Sequence, residues 1–301
     1  MRGPCTENTA LSGGYSPLSW KPPIDSSNKA WRLVYWYVMA NNYWRERSAP
    51  YDPGQTAPFK VSRSKIELYK QCPRCFWLDV RLKITRPSSP PFNINKTIDE
   101  LFKREFDVHR KAGTPHPIMT ANKLSGIIPF SHKDIDTWRE NFVGVFTLHE
   151  PTNLHVFGAV DDVWVNEAGE LIVVDYKATS KDKDVSIDSG WQISYKRQME
   201  VYQWLLRANG FPVSNTGYFV YTNARMDMEG FGDKLEFKTK LIPYTGNDEW
   251  VEPTLHEMKT CMDGDMPPVG ESIMGGPCEH CEYARRRTEL TLQHVQALKK
   301  K

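Results

Sequence analysis

Four things are scarce in this sequence of 301 residues, and each scarcity removes a class of function. Its 39 Lys and Arg are nearly balanced by 37 Asp and Glu, for a formal net charge of +2. There is no chain-wide positive field, so any contact with a polyanion must come from local clustering. Long apolar runs are missing: the longest, near Trp31 to Ala40, contains Arg32 and is too short to cross a bilayer. The opening MRGPCTENTALSGG has no apolar centre of the kind a signal peptide carries, and a cytosolic (cytoplasmic) location is expected. No G-x-x-x-x-G-K-[ST] occurs, so there is no P-loop and a helicase step would need a partner. Cysteines number only six; in a reducing compartment those spaced C-x-x-C are expected to hold metal or do redox work rather than form disulfides.

What is present is a sequence rich enough in apolar residues for a packed core, 40% hydrophobic with ten Trp. Its most informative stretch is FGAVDDVWVNEAGELIVVDYKATS, residues 157–180. Two alternating runs, Leu154 to Val165 and Leu171 to Thr179, flank Asn166-Glu-Ala-Gly-Glu170, the pattern of a β-hairpin. With the turn centred on Ala168, facing residues have numbers that sum to 336, which sets Asp161 opposite Asp175 on one face. Lys177 joins that face by the period of two, while Tyr176, Val174 and Ile172 point the other way into a core. Like charges facing each other destabilise a sheet unless something positive lies between them. A hard divalent cation fits, since Mg²⁺ and Mn²⁺ take carboxylate oxygens and substrate phosphate, and the Lys177 ammonium could then orient water or neutralise charge on phosphorus. The plainer alternative is two solvated acids near a turn with a snorkelling lysine.

Downstream, QISYKRQMEVYQWLLRANGFP reads as an amphipathic helix over 192–209 with Gly210 as its stop, and Gln198 and Tyr202 are neighbours on one face. Strands are expected at Thr216 to Thr222 and Leu235 to Pro243, and a helix near Thr254 to Met262. Upstream, residues 1–29 read as an irregular lead-in, Ala30 to Arg47 as an aromatic-rich helix, and Ser48 to Pro58 as a linker. Phe59 to Ile84 reads as a helix interrupted near Pro73, opened by a capping box from Ser64 to Glu67. A second helix, Thr97 to Gly113, opens with a box from Thr97 to Glu100; Lys133 to Phe142 is a weaker helix candidate. Basic residues cluster at Lys60, Arg63, Lys65, Lys70, Arg74, Arg81, Lys83 and Arg86, and again at Arg285 to Arg287. Such clusters can contact DNA, although a solvated helix face looks the same.

The ordered set Gly-x-x-Asp (158–161), Asp-x-Lys (175–177) and Gln-x-x-x-Tyr (198–202), preceded by SRSKIELYKQCPRCF, resembles the PD-(D/E)XK nucleases of the RecB family. The resemblance spans roughly Phe59 to Arg286. It implies an α/β fold, a restriction-endonuclease-like core with a central mixed sheet flanked by helices, here with an N-terminal helical extension. The expected organisation is 1–58 as lead-in and aromatic helix, 59–290 as nuclease domain, and 291–301 as a basic tail. The implied activity is metal-dependent cleavage of DNA phosphodiesters with Mg²⁺ or Mn²⁺, acting on single strands or ends. In the implied site, Asp161, Asp175, Lys177, Gln198 and Tyr202 are catalytic, and Asp161, Asp175 and Tyr176 lie at the metal. Asp99 stands where many relatives carry a metal-binding His; a first-turn acid favoured by the helix dipole is the other reading of it. His109 is expected to be exposed. A non-catalytic nucleic-acid-binding scaffold is the alternative, which the intact Asp, Asp and Lys argue against.

Cys72 and Cys75 form one C-x-x-C and Cys278 with Cys281 another about two hundred residues later. Two such pairs suit either tetrahedral Zn²⁺ or a [4Fe-4S] cluster. Cys5 and Cys261 have no such spacing and are expected to be free. The resemblance to cluster-bearing RecB-family members, AddB-type helicase-nucleases and CRISPR-associated exonucleases, implies [4Fe-4S] and a helicase or repair partner. Those relatives have one cysteine before the nuclease core and three after it, whereas this chain has two and two.

Overall fold

A computed structural model of the chain describes residues 49–88, 92–272 and 275–299, all within one unit that starts at Ala49. The expected helix at Ala30 to Arg47 and the Cys5 thiol lie outside the described residues. The fold is mixed α/β, with mixed sheets flanked by helices. One sheet has three strands in the order β1 (Phe59–Ser62), β4 (Leu154–Gly158), β3 (Val145–His149). The other has five, in the order β2 (Ile128–Pro129), β5 (Asp162–Val165), β6 (Leu171–Thr179), β7 (Thr216–Ala224), β8 (Phe237–Thr245). The β6–β7 pair is parallel, crossing over through helix α6 (Ile193–Ala208), while β2–β5, β5–β6 and β7–β8 are antiparallel.

The hairpin forms in the expected register: Asp162 pairs with Val174, Val163 with Val173 and Val165 with Leu171. Its turn is held by Asn166, whose Oδ1 accepts from Glu170 N at 2.9 Å, and by Gly169 at φ 80°. The expected single strand from Leu154 to Val165 does not form. The chain leaves the small sheet at Gly158 and enters the large one at Asp162, because Val160 N donates to Trp138 O at 3.0 Å instead of to a neighbouring strand. Gly144 and Gly158 pass so closely there that a Cβ on Gly144 would lie 2.3 Å from Gly158 O.

Strand β6 is apolar on both faces, as a central strand covered by helices must be. Ile172, Val174 and Tyr176 pack with Phe106 and Met119 on one side. Phe106 lies on α3 (Asn93–Ala112), which follows α1 (Arg63–Gln71) and α2 (Pro73–Leu82), and Met119 on the short α4 (Pro117–Ala121). Leu171 and Val173 pack on the other side with Met199, Tyr202, Leu205 and Leu206 of α6. The α5 turn (Ile135–Trp138) is shorter than the expected Lys133 to Phe142. Helices α7 (Val251–Asp263) and α8 (Glu279–Lys299) complete the described chain.

Two helix starts differ from expectation. Residues 59–62 are strand, α1 begins at Arg63 with Ser62 as its N-cap, and Ser62 makes no side-chain cap bond, so the Ser64–Glu67 capping box is not used. Helix α3 begins at Asn93, placing Thr97 inside it, where Thr97 Oγ1 donates back to Asn93 O at 3.2 Å. A hydroxyl satisfied by the preceding turn marks a helix interior as readily as a cap.

Candidate active site and cysteine cluster

The site is built where β6 emerges between α3 and α6. Asp175 is 0% exposed on the face of β6 that meets α6. Neither of its carboxylate oxygens accepts a hydrogen bond, although the Lys177 ammonium is in ion-pair contact with it. Asp161 stands just beyond the end of β5, and its Oδ2 accepts from Tyr176 N at 2.9 Å, so a side chain takes the N–H that a longer β5 would have paired. Burial, reinforced by the charge of Asp175, lifts the Asp161 carboxyl to about 7. Lys177 loses solvation as well, yet Asp175 and Asp161 raise its pKa and keep it charged.

The lysine is held from α6. Gln198 Nε2 donates to Tyr202 Oη at 3.1 Å, which turns Gln198 Oε1 towards Lys177 Nζ at 3.4 Å. The ammonium also lies 4.6 Å from the Tyr195 ring centroid, an attraction that survives burial. Sequence reasoning missed Tyr195, whose only signal is its place one turn before Gln198.

Asp99 is brought to the same place. It lines a cleft of about 220 Å³ with Asn95, Ile98, Tyr176, Lys177, Ala178 and Tyr195. Burial and the Asp161 charge raise its pKa, Lys103 pairs with its Oδ2 at 2.8 Å, and its Oδ1 is buried without a partner. Since α3 starts at Asn93, Asp99 lies in the second turn, beyond the reach of a first-turn dipole effect.

A second network, absent from the sequence reading, supports Tyr176. Asp162, 0% exposed, receives Tyr176 Oη at 2.8 Å and Arg139 Nη2 at 2.7 Å, and pairs with Arg110. Asp107 in turn takes both guanidiniums. These residues come from α3, the C-terminal cap of α5, β5 and β6, so only the Asp107/Arg110 spacing was visible locally.

Among comparisons with known proteins, the sequence profile of the PD-(D/E)XK nuclease superfamily matches residues 95–286. The chain belongs to this superfamily. One solved structure, described as that of SSO0001, is 16% identical, covers 79% of this chain and 87% of that chain, and has a TM-score of 0.32, too distant a likeness to bear on mechanism. No curated protein matches.

The superfamily match reaches the last of four converging cysteines. Cys72, at the N-cap of α2, and Cys75 in its first turn meet Cys278 and Cys281 at the start of α8, with all four Sγ atoms within 4.8 Å of one another, an arrangement able to hold a metal. Cys261 is not part of this group; burial raises its thiol to about 11. Arg86 Nη2 donates to Cys278 Sγ at 3.4 Å and its Nη1 to Gln71 Oε1 at 2.7 Å. Gln71 Nε2 donates to Glu67, which takes Arg197 in a bidentate pair at 2.8 and 2.9 Å. A continuous hydrogen-bonded chain thus runs from the cysteines to α6, one residue before Gln198.

The basic stretch of 60–86 is largely engaged within the fold. Lys65 pairs with Asp79, Arg74 donates to Pro267 O and Arg81 to Met262 O. Arg285 and Arg286 are likewise paired, with Glu282 and Glu289. His109, expected on the surface, is half-buried beside His116 and Thr114. A further group, His149, Glu252 and His256, is tied internally: His149 meets Glu252 at 2.7 Å and Thr152 at 2.6 Å, and Trp204 donates to Glu252. No helix among the described residues is long and apolar enough to cross a membrane.

Proposed function

We propose that the chain is a metal-dependent deoxyribonuclease that hydrolyses DNA phosphodiester bonds, acting on single strands or ends in repair, recombination or defence. The observation that carries this reading is Asp175, a carboxylate with no exposed surface whose charge, although met by the Lys177 ammonium, still raises the carboxyl of the neighbouring Asp161. A buried charge is costly unless it is paired or coordinates a metal. The unpartnered Asp99 Oδ1, also buried, supports the same need. All these donors are carboxylate oxygens, the set that suits Mg²⁺ or Mn²⁺. Asp161, Asp175 and Asp99 would hold the ion, beside the main chain of Tyr176.

A bound divalent ion supplies Lewis acidity towards the scissile phosphate and lowers the pKa of water. The protein's own part is charge and orientation. Lys177 presents a fixed ammonium to charge developing on phosphorus, and its position costs no rearrangement during reaction because Gln198 and Tyr195 already hold it. Tyr202 fixes the Gln198 amide so that oxygen, not nitrogen, meets the lysine. Arg63, whose charge acts on both Lys177 and Tyr202, adds a cation for the incoming DNA backbone.

The test is cleavage of labelled single- and double-stranded DNA with and without Mn²⁺. Wild type should cleave only with metal. Asp175→Asn and Lys177→Ala should lose at least about a hundredfold in rate while keeping a folded circular-dichroism spectrum. Cleavage by either variant at the wild-type rate, or none by wild type with Mg²⁺ or Mn²⁺, overturns the reading.

A further inference from the structure

The resemblance to cluster-bearing nucleases implies that the four cysteines hold [4Fe-4S], and the positions of their sulfurs do not fit that group. Cys72 and Cys281 Sγ are 3.8 Å apart, Cys75 and Cys278 3.7 Å, and Cys75 and Cys281 3.5 Å. With a zinc–thiolate bond of about 2.3 Å, four sulfurs placed tetrahedrally around one ion stand about 3.8 Å apart. A [4Fe-4S] cluster puts each cysteine on a different iron with the cube of iron and sulfide between them, which holds the cysteine sulfurs on the order of 6 Å apart. The widest separation in this group, within 4.8 Å, leaves no room for that cube.

The surroundings hold the sulfurs at the shorter spacing. Cys72, 0% exposed, accepts N–H bonds at its Sγ from Cys75 at 3.4 Å and Gly270 at 3.3 Å. Gly270 is pressed against the same residue: a Cβ there would lie 2.7 Å from Cys72 Cα. Arg86 holds Cys278 from the other side. Widening the group to a cluster would therefore break bonds around Cys72 and displace the 270 loop. The same donors suit a single ion, because four thiolates around Zn²⁺ leave a net charge of −2 that N–H groups and a guanidinium offset.

We propose that Cys72, Cys75, Cys278 and Cys281 bind one tetrahedral Zn²⁺ in place of an iron–sulfur cluster. Four protein ligands leave no open position, so the ion is structural and takes no part in electron transfer. It joins the entry to α2 with the start of α8 and so closes the chain around the nuclease core.

The test has readouts other than cleavage. Full-length protein purified without oxygen, from cells supplied with both metals, should be colourless and contain one zinc per chain. Zinc can enter an iron site adventitiously, so metal-free protein is then offered Zn²⁺ together with ferrous iron and sulfide under anaerobic conditions. Zinc should win, and Co²⁺ substituted for it should give the strong ligand-field bands of a tetrahedral tetrathiolate. Cys278→Ser should lose the zinc, whereas Cys261→Ser should keep it. Brown protein with about four irons per chain, or formation of a stable cluster in the competition, overturns the proposal; the Co²⁺ spectrum of wild type decides the matter even if Cys278→Ser fails to fold.

Discussion

At the scale of single residues, burial and a neighbouring carboxylate keep two of the site's acids, Asp161 and Asp99, from ionising freely. Asp161 is the measure of this, its carboxyl lifted from the ordinary 3.8 to about 7 by burial and by Asp175. A carboxyl raised in the folded state stabilises that state when protonated. Its contribution is complete below about pH 4 and is lost as pH rises through about 7. The metal-free protein should therefore melt at lower temperature at pH 7 than at pH 5. Added Mn²⁺, which replaces the proton, should raise the melting temperature more at pH 8 than at pH 5. An equal Mn²⁺ shift at both values in a thermal melt would count against Asp161 as a ligand. On the proposed reading Asp99 has a narrower role. Asp99→Ala should weaken Mn²⁺ binding by about tenfold in a calorimetric titration, a loss expected of a supporting oxygen donor, and an unchanged titration would remove it from the site. Both acids were legible in the sequence, Asp161 through the turn register and Asp99 through its place in the resemblance. Asp162 was not, because its partners Arg110 and Arg139 lie 52 and 23 residues away.

At the scale of elements, the site depends on how closely α6 approaches the β4–β5 break. A Cβ on Gly158 would stand 2.6 Å from Tyr202 Cε1, and the ring is too buried to swing aside. Gly158→Ala should cost about 1–3 kcal/mol in chemical denaturation, as overpacking does. It should also slow cleavage, because displacing Tyr202 releases Gln198 and with it Lys177. Tyr202→Phe separates the two effects: the packing remains, only the hydroxyl that orients Gln198 is lost, and cleavage should fall with little change in melting temperature. A rate unaltered in Tyr202→Phe would mean that Gln198 is held by other contacts. The glycine itself was readable as part of Gly-x-x-Asp, but its reason was not, since the ring it accommodates lies 44 residues further along the chain. The capping boxes at Ser64 and Thr97 show the reverse case, local patterns that packing overrode by starting each helix earlier.

At the scale of the whole molecule, a metal held by the two C-x-x-C pairs, which stand about two hundred residues apart, would close a loop around nearly all of the described fold. Joining such distant points restricts the unfolded chain far more than the folded one. Removing the proposed zinc with a chelator at neutral pH should therefore lower stability by roughly 4 kcal/mol or more, read as a shift in the urea midpoint. An unchanged midpoint would mean that the sheets hold the unit together without it. The hydrogen-bonded chain from Cys278 through Arg86, Gln71 and Glu67 to Arg197 gives the four-cysteine group a physical connection to the helix that positions Lys177.

The sequence by itself determined the hairpin register, the sharing of a face by Asp175 and Lys177, the adjacency of Gln198 and Tyr202, and the pairing of cysteines. All follow from spacing along the chain, because strand and helix periods are local properties of the backbone. Tertiary structure alone decided that the run from Leu154 to Val165 divides between two sheets, since a distant carbonyl, Trp138 O, takes the N–H that would have continued the strand. It likewise decided that most of the basic stretch is occupied by internal partners, and that the four sulfurs stand at the spacing of one ion. Those outcomes depend on which groups meet across the fold, and a distance between remote side chains is not encoded in any one segment.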